Sequence, residues 1–294
     1  MGGRQMPRRR GATLRLRRRA DAIVERAHAL LDVGDAPIDA DAIHELRVAC
    51  KRLRAVWQLL TPVLGRATTR ARDHALRDAA KRLAGHREAH VLRRTIERLR
   101  RRHAREESEH AALDALAERV AARWPEVRAE PSAAEPLRAA FADQRDAIAA
   151  LPQALDDDDL LAGLLRSYGR ARQEGRRAAL LRDDDAWHRC RRWAKYELYQ
   201  LELLARGDPE RSRVRRLTRL GDTLGRFNDL CNLRALADAG RPELAASGAG
   251  LGIDRVLGRE NRVLRAELER RFVRLYADDE GRRARRVRRW LSRA

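Results

Sequence analysis

The stretch Ile43–Leu60 reads IHELRVACKRLRAVWQLL and is typical of a helix with two different faces. At about 100° per residue, its apolar side chains share one face, which must be buried against other helices. The opposite face carries four residues at spacings of three and four, without an acid among them. Since like charges at these spacings repel by about 0.2–0.5 kcal/mol per pair, the row suggests an external anion; a solvated charged face is the competing interpretation. The four residues are His44, Arg47, Lys51 and Arg54.

The same stretch occurs a second time, which favours the anion. Its copy is Trp187–Leu204, and the residues match at one constant offset. Leu198 stands opposite Arg54, so the fourth cation is missing from the copy. A duplication with so long a period predicts two similar helical halves, each with a basic face. The remaining members of the copied row are His188, Arg191 and Lys195.

A further pair of segments matches at nearly the same offset. LAGHREAHVL, at Leu83–Leu92, corresponds to LGRFNDLCNL, at Leu224–Leu233, and places Arg87-Glu88 opposite Asn228-Asp229. Two roles are open for Arg87: it binds an anion directly, or it pairs with Glu88 or another acid.

HELRVACKRLR, together with the R-E and LG-x-x-ND segments just described, resembles the signature of the CHAD domain, the conserved histidine α-helical domain. The resemblance covers nearly the whole chain from about Leu14. It implies an all-α fold of two four-helix bundles, related by a pseudo-two-fold axis, with basic faces turned toward a shared groove. CHAD domains are known to bind inorganic polyphosphate. The residues that the resemblance assigns to binding are His44, Arg47, Lys51, Arg54, Arg87, His188, Arg191 and Lys195.

Two departures from the family pattern concern the strength of binding. Leu198 replaces the fourth cation of the copy, and Glu88 stands where the family usually has Asp. The second half is therefore expected to bind more weakly, or to use Arg192 and Tyr199 differently.

The chain divides near its middle, where Pro125, Pro131 and Pro136 interrupt the helical pattern. We expect a basic disordered leader at 1–12, a first bundle at 13–124, a linker at 125–136 and a second bundle at 137–294.

Several helix boundaries are predicted from local signals. Thr61-Pro62 is expected to kink or end the first basic helix. One long helix is predicted from His86 to about Arg123, and two helices are predicted between Asp208 and Ala239, meeting near Arg226. The segment 240–252 reads as a loop, and the basic tail 281–294 either docks through its apolar residues or frays.

Net charge indicates the class of partner. The chain has 65 Lys and Arg against 44 Asp and Glu, a formal charge of +21, and such a field attracts polyanions. Lys51, Lys81 and Lys195 are its only lysines, and the first and last occupy equivalent positions in the two copies. The arginine excess also fits a bias in genomic base composition, although the planar fork of arginine suits phosphate.

Composition also places the chain in a compartment. Cys50, Cys190 and Cys231 are too few for a disulfide scaffold and read as buried hydrophobes in a reducing environment. No apolar run approaches the roughly 20 residues of a membrane span, and the basic N-terminus lacks the apolar core of a secretory signal. We expect a cytoplasmic protein, and association with polyphosphate granules is compatible with that location.

Metal sites are weakly indicated. His86 and His90 have a chelating spacing but no identifiable third ligand. The acidic run Asp156–Asp159 fits a helix start better than a metal site. His103 and His110 read as solvated surface residues. No metal and no cofactor are expected.

The chain lacks G-x-G-x-x-G, GxxxxGK[ST] and G-x-S-x-G, so we expect the polyphosphate binding that the resemblance implies to proceed without catalysis. Two alternatives are kept. One is a non-specific nucleic-acid-binding protein, which the charge favours and the scarcity of aromatic residues opposes. The other is an adaptor that docks on acidic granule or protein surfaces.

Overall fold

The structure is a computed structural model that describes residues 11–32, 38–83, 85–124, 134–205, 210–246 and 248–293, with side chains at all of these positions except 40, 82, 85–88 and 293. Within these ranges every regular element is an α-helix, which confirms the all-α prediction. None of these helices is long and apolar enough to span a membrane. The helices are α1 (Gly11–Leu31), α2 (Ala40–Leu64), α3 (Arg66–Arg82), α4 (Gly85–His103), α5 (Glu107–Arg123), α6 (Ala134–Ala149), α7 (Asp157–Leu181), α8 (Asp184–Leu204), α9 (Arg211–Ala239), α10 (Arg241–Ala246), α11 (Gly250–Leu275) and α12 (Glu280–Arg293).

Aspartates begin four of these helices by accepting hydrogen bonds from backbone N–H groups that have no partner within the helix, and Asp279 does so for α12. Asp39 accepts from the backbone of α2, and Asp183 does so at the start of α8. Asp156 and Asp159 form a reciprocal capping box at the start of α7. The acidic run Asp156–Asp159 therefore acts as a helix start, as predicted.

Helix α2 continues through Pro62 to Leu64, so Thr61-Pro62 does not end it, and the alternative of a kink there stays a prediction. Proline has no N–H to donate to the carbonyl four residues earlier, which belongs to Gln58. Arg166 of α7 donates to that carbonyl at 3.4 Å and to the Gln58 side chain at 2.8 Å. A contact from a distant helix thus supplies the donor that proline lacks.

The long helix predicted from His86 to Arg123 is wrong, because α4 ends at His103 and α5 begins at Glu107. Tertiary contacts hold the break: Arg259 of α11 donates to the His103 carbonyl at 2.7 Å and pairs with buried Glu109 at 2.6 Å. His103 is itself buried, so its prediction as a solvated residue is also wrong.

Four other boundaries differ from the predictions. Helix α9 runs unbroken through the expected junction near Arg226, because this stretch holds no proline. The short helix α10 lies inside the predicted loop 240–252. Residues 134–136 of the predicted linker already belong to α6, and α1 includes Gly11 and buried Ala12 of the predicted leader; residues 1–10 and 125–133 lie outside the described ranges.

Helices from both halves share one hydrophobic core. Helix α2 packs against α1, α3, α7 and α8, and α6 covers α1 and α3. Helices α4 and α5 pack on α9 and α11, which follow the predicted linker. The division into two four-helix bundles stays a prediction, because helices of the two halves pack extensively against each other.

The C-terminal segment docks rather than frays. Helix α12 packs on α7, and its apolar side chains Val287, Trp290 and Leu291 are buried. The basic residues between them face outward for the most part, which explains how so charged a segment forms a stable helix.

We predict that Gly163→Ala destabilises the fold by about 1–3 kcal/mol, the range for overpacked cores. A Cβ at Gly163 would overlap the Leu59 carbonyl oxygen, so α7 and α2 would have to separate. Urea unfolding measures the change. Gly258→Ala in α11 is the matched control, because its new Cβ would meet only a flexible arginine at 3.8 Å; equal losses for both variants would contradict the packing account.

Candidate anion-binding site

The basic row of α2 is divided between different environments. His44 is exposed near the start of the helix, whereas Arg47 is half-buried and donates to two carbonyls at the end of α3. These acceptors are the Ala80 and Leu83 oxygens, at 3.1 and 2.9 Å from Nη1. A cation at this position complements the negative end of the α3 dipole. Arg47 thus fixes α3 relative to α2, whatever it binds in addition.

Arg54 is compensated by an acid that does not belong to its own helix. Its guanidinium makes a two-pronged ion pair with Asp73 of α3, at 3.0 and 3.2 Å, and both side chains are largely buried. The Tyr196 hydroxyl donates to the same carboxylate at 3.4 Å. This arrangement is that of a structural ion pair, so a role of Arg54 in binding polyphosphate stays a prediction that its pairing disfavours.

The basic row of α8 lies along α9. The Nδ1 atom of His188 is 2.7 Å from Oδ1 of Asn228. An amide oxygen only accepts, so Nδ1 carries the proton, and Nε2 donates to a phosphate only when the ring is imidazolium. Further along, a Cβ at Gly225 would lie 3.6 Å from Nη2 of Arg191. The small residues of α9 therefore make room for the cations of α8.

Lys195 is held against α9 even more closely. A Cβ at Gly221 would lie 2.9 Å from Cε of Lys195, so a larger residue there would displace the end of this side chain. Burial and the neighbouring Arg191 lower the pKa of Lys195 below its usual value. The ammonium is 6.0 Å from the centre of the Tyr199 ring, which also receives Arg52 of α2 at 5.9 Å. Tyr199 thus joins the cations of the two helices.

A cleft of about 750 Å³ lies beside His44, between the start of α2, the middle of α4 and Asp229 of α9. It contains several basic side chains from α4, whose positions fall within about 80° on one helical face. Asp229 is the acid of α9 in this lining, and Asp41 lies at its α2 edge. The basic residues of α4 are His90, Arg94, Arg98 and Arg101.

These arginines of α4 were not among the residues predicted to bind the anion. His90 was considered only as half of a metal chelate, although the spacings of four, four and three from His90 to Arg101 were readable as a basic face. The basic face was hidden because Glu97 interrupts it and because arginines occur throughout the stretch. Among the described side chains, no group of three His, Cys, Asp or Glu could hold a metal ion.

The wall behind the cleft is braced by a buried ionic network. Glu260 of α11 is 2.6 Å from Nε2 of His103 and 3.0 Å from Arg226. Burial acts to raise the pKa of Glu260, but the hydrogen bonds from His103 and Arg226 outweigh it and lower the pKa. Burial and the nearby Arg226 lower the pKa of Arg98. The network holds α4, α9 and α11 in fixed relation.

The structure brings only part of the predicted site together. Of the eight predicted residues, His44 lines the cleft, while the α8 row begins beside Asn228, the chain neighbour of the cleft residue Asp229. Lys51 is half-buried on α2. The side chain of Arg87 lies outside the description, so its two open roles stay open.

The thiols near these rows are not activated. Cys50 and Cys190 are buried as predicted, and Cys231 is half-buried. Burial raises the pKa of Cys50 to about 12, against the lowering effect of Arg54 and Arg47. Burial likewise raises the pKa of Cys231 to about 11. These cysteines therefore stay protonated at neutral pH.

We predict that Arg54→Ala lowers the free energy of unfolding by about 3 kcal/mol, because it leaves the carboxylate of Asp73 buried without its main partner. Urea unfolding measures the loss, and Arg54→Ala/Asp73→Ala is expected to lose less than the sum of the two single variants. Arg70→Ala, an exposed position on α3, is the charge-matched control and should change stability by less than about 0.5 kcal/mol. Additive losses would show that the ion pair is not structural.

Comparison with known proteins supplies the family. The sequence profile of the CHAD domain matches residues 14–238, which is well over half of the chain. No curated protein matches the chain. No solved structure matches it either. The match begins in α1 and ends in α9, so it contains both basic rows and the cleft between α2, α4 and α9. The chain therefore belongs to the CHAD domain family.

Proposed function

We propose that the protein binds inorganic polyphosphate, without catalysis, in the cleft beside His44 and along the basic row of α8. The observation that carries this proposal is the cleft itself, where His44 of one helix meets the basic face of α4. Polyphosphate binding is associated with CHAD domains in general, and the cleft offers a location for it in this chain.

The chemistry of the cleft suits a polymer of phosphates. Each internal phosphate carries a charge and offers acceptor oxygens but no base, so a ligand of this kind needs many donors and no stacking platform. Arginine donates to two oxygens at once, and charge-assisted bonds contribute about 1.5–3 kcal/mol each. Arg94 and Arg101 are both exposed in the cleft, where a chain can reach them.

The α8 row would extend the path. Asn228 and Asp229 are consecutive residues of α9, and one positions His188 while the other lines the cleft. A chain leaving the cleft past Asp229 would therefore meet His188 next and then Arg191. The duplication supports this path: Arg47 lies at the end of α3 much as Arg191 lies on Gly225 of α9. Two such bundles related by a pseudo-two-fold axis are part of the proposal.

Binding without turnover is also proposed. The arginines of the cleft all come from α4, and the thiols beside the α2 row are held protonated by burial. Incubation with long-chain polyphosphate should release no orthophosphate above a protein-free control. Steady release that depends on His44 or His188 would contradict this part of the proposal.

We predict that Arg94→Ala/Arg101→Ala weakens polyphosphate binding about tenfold or more, which corresponds to about 1.4 kcal/mol. Both side chains line the cleft and are exposed, so their loss removes donors without opening the core. Fluorescence anisotropy with a labelled long chain measures the affinity at fixed moderate salt.

The control is Arg18→Ala/Arg70→Ala, which removes the same charge from exposed positions of α1 and α3, outside the cleft. Its affinity should stay within about twofold of the wild type, because exposed charges more than about 10 Å from a ligand are screened. Equal losses in the two double variants would mean that net charge does the binding, and the proposal for the cleft would fail.

The three lysines give an independent test. We predict that polyphosphate raises the pKa of Lys195, which burial and Arg191 lower in the free protein. An anion favours the ammonium form, so binding takes up a proton, and the contribution of Lys195 to affinity falls as pH rises through its free-state pKa. NMR of protein labelled at lysine Cε follows this titration at single-residue resolution, because only Lys51, Lys81 and Lys195 contribute signals.

Lys81 is the internal control of that experiment, since it is exposed on α3 near Asp78. Its signal should shift little with polyphosphate, whereas those of Lys51 and Lys195 should shift strongly. A titration of Lys195 that is unchanged by saturating polyphosphate would remove the α8 row from the binding path.

A further inference from the structure

A second basic cavity lies where the C-terminal helix docks. It measures about 300 Å³ and is enclosed by the first turns of α9, the end of α11 and α12. Helix α12 follows the segment that matches the CHAD domain, which ends at residue 238. Five arginines and one glutamate contribute to its lining, so it carries a strong excess of positive charge. These arginines are Arg213, Arg216, Arg283, Arg286 and Arg289.

The rear of the cavity is a neutral, rigid ionic network. Arg213 donates to buried Glu197 at 2.6 Å and to the Leu275 carbonyl at 3.0 Å. Arg283, itself buried, lies 3.2 Å from Glu210 and 3.5 Å from Glu197. Two arginines are thus matched by two carboxylates, and the network fixes α12 against α8 and α9.

The front of the cavity is not neutralised. Arg286 pairs with Asp278 at 2.8 Å. For Arg216 and Arg289, one on α9 and the other on α12, no acidic partner lies within ion-pair distance among the described residues. Two guanidinium groups therefore border one small cavity, on two different helices, without a carboxylate to bridge them.

Trp290 adds an unsatisfied donor to the same place. Its side chain lines the cavity and is only 3% exposed. The indole N–H is buried and has no hydrogen-bond acceptor among the described residues. A buried donor without a partner is destabilising, and an acceptor that reached the indole N–H would offset that cost.

We propose that this cavity is a second anion site, for a small phosphate-class oxyanion that bridges α9 and α12. Arg216 and Arg289 would bind its oxygens, and the network around Arg213 and Arg283 would set the depth of the site. The volume lies at the lower end of the range for ligand pockets, which favours orthophosphate, pyrophosphate or the end of a polyphosphate chain over the middle of a polymer. The proposal does not depend on polyphosphate binding in the cleft beside His44.

Calorimetry with pyrophosphate tests the proposal on the full chain. We expect Arg216→Ala/Arg289→Ala to lose at least about tenfold in affinity for the site, whereas Arg18→Ala/Arg70→Ala and Arg94→Ala/Arg101→Ala retain it. Pyrophosphate that binds all four proteins equally, or does not bind the wild type, would overturn the proposal. Loss in the cleft variant alone would also overturn it, because the anion would then occupy the cleft.

A second pair of measurements separates binding from folding. Arg216→Lys/Arg289→Lys keeps the charge and should preserve the melting temperature, yet it should weaken binding because lysine lacks the planar fork. Hydrogen exchange should show that pyrophosphate protects α12 in the wild type but not in either double variant at these two positions. Unchanged exchange in α12 at saturating pyrophosphate would contradict a bridge between the helices.

Parallel titrations identify the source of the phosphate group. A site for free phosphate would bind orthophosphate about as well as pyrophosphate. A site for chain ends would prefer pyrophosphate, and long-chain polyphosphate would then bind the α9–α12 variant more weakly than the wild type. Failure of all three ligands to distinguish the wild type from the variant would overturn the site.

Discussion

Positive charges held side by side near a protein core repel one another, and this fold depends on how that repulsion is offset. Three partly buried cations of the two basic rows have a defined local environment. Arg47 donates to the carbonyls that end α3, and Arg54 pairs with Asp73. Lys195 lies against Gly221 and beside an aromatic ring. The pKa of its ammonium is lowered, because burial and Arg191 still disfavour the charged form. Because helix-end carbonyls and carboxylates offset these inner cations, other cations can face the solvent without a compensating carboxylate.

Because inner carboxylates and dipoles offset the buried cations, the proposed binding would need little reorganisation of the fold. Ionic networks of buried residues hold the wall behind the cleft through Glu260 and the α12 cavity through Glu197. The exposed arginines in front, such as Arg94 and Arg216, are attached to helices that these networks immobilise. A rigid backbone with unsatisfied donors is pre-organised for an anion, so less of the interaction free energy is lost to ordering.

Much of this arrangement could be predicted from the sequence. The two faces of α2, the acidic helix starts and the match of His44 with His188 follow from local spacing and from repetition. The break after His103 could not be predicted, because its cause is Arg259, more than a hundred residues further along the chain. The pairing of Arg54 with Asp73 was hidden for the same kind of reason, since helical periodicity reveals neighbours on one helix and not the acid of the next. The basic face of α4 had a readable spacing, but only the approach of α2 and α9 turns it into a cleft.

We propose that shaped clusters of cations, and not the net charge of +21, select the ligand. The most direct test is the affinity of the wild-type protein for long-chain polyphosphate and for double-stranded DNA of equal total charge, compared at about 0.15 M salt, where charges beyond about 8 Å are screened. We expect polyphosphate to bind at least about tenfold more tightly than DNA, a difference of about 1.4 kcal/mol, and to displace it. Equal affinities, with the same dependence on salt for both polymers, would contradict it.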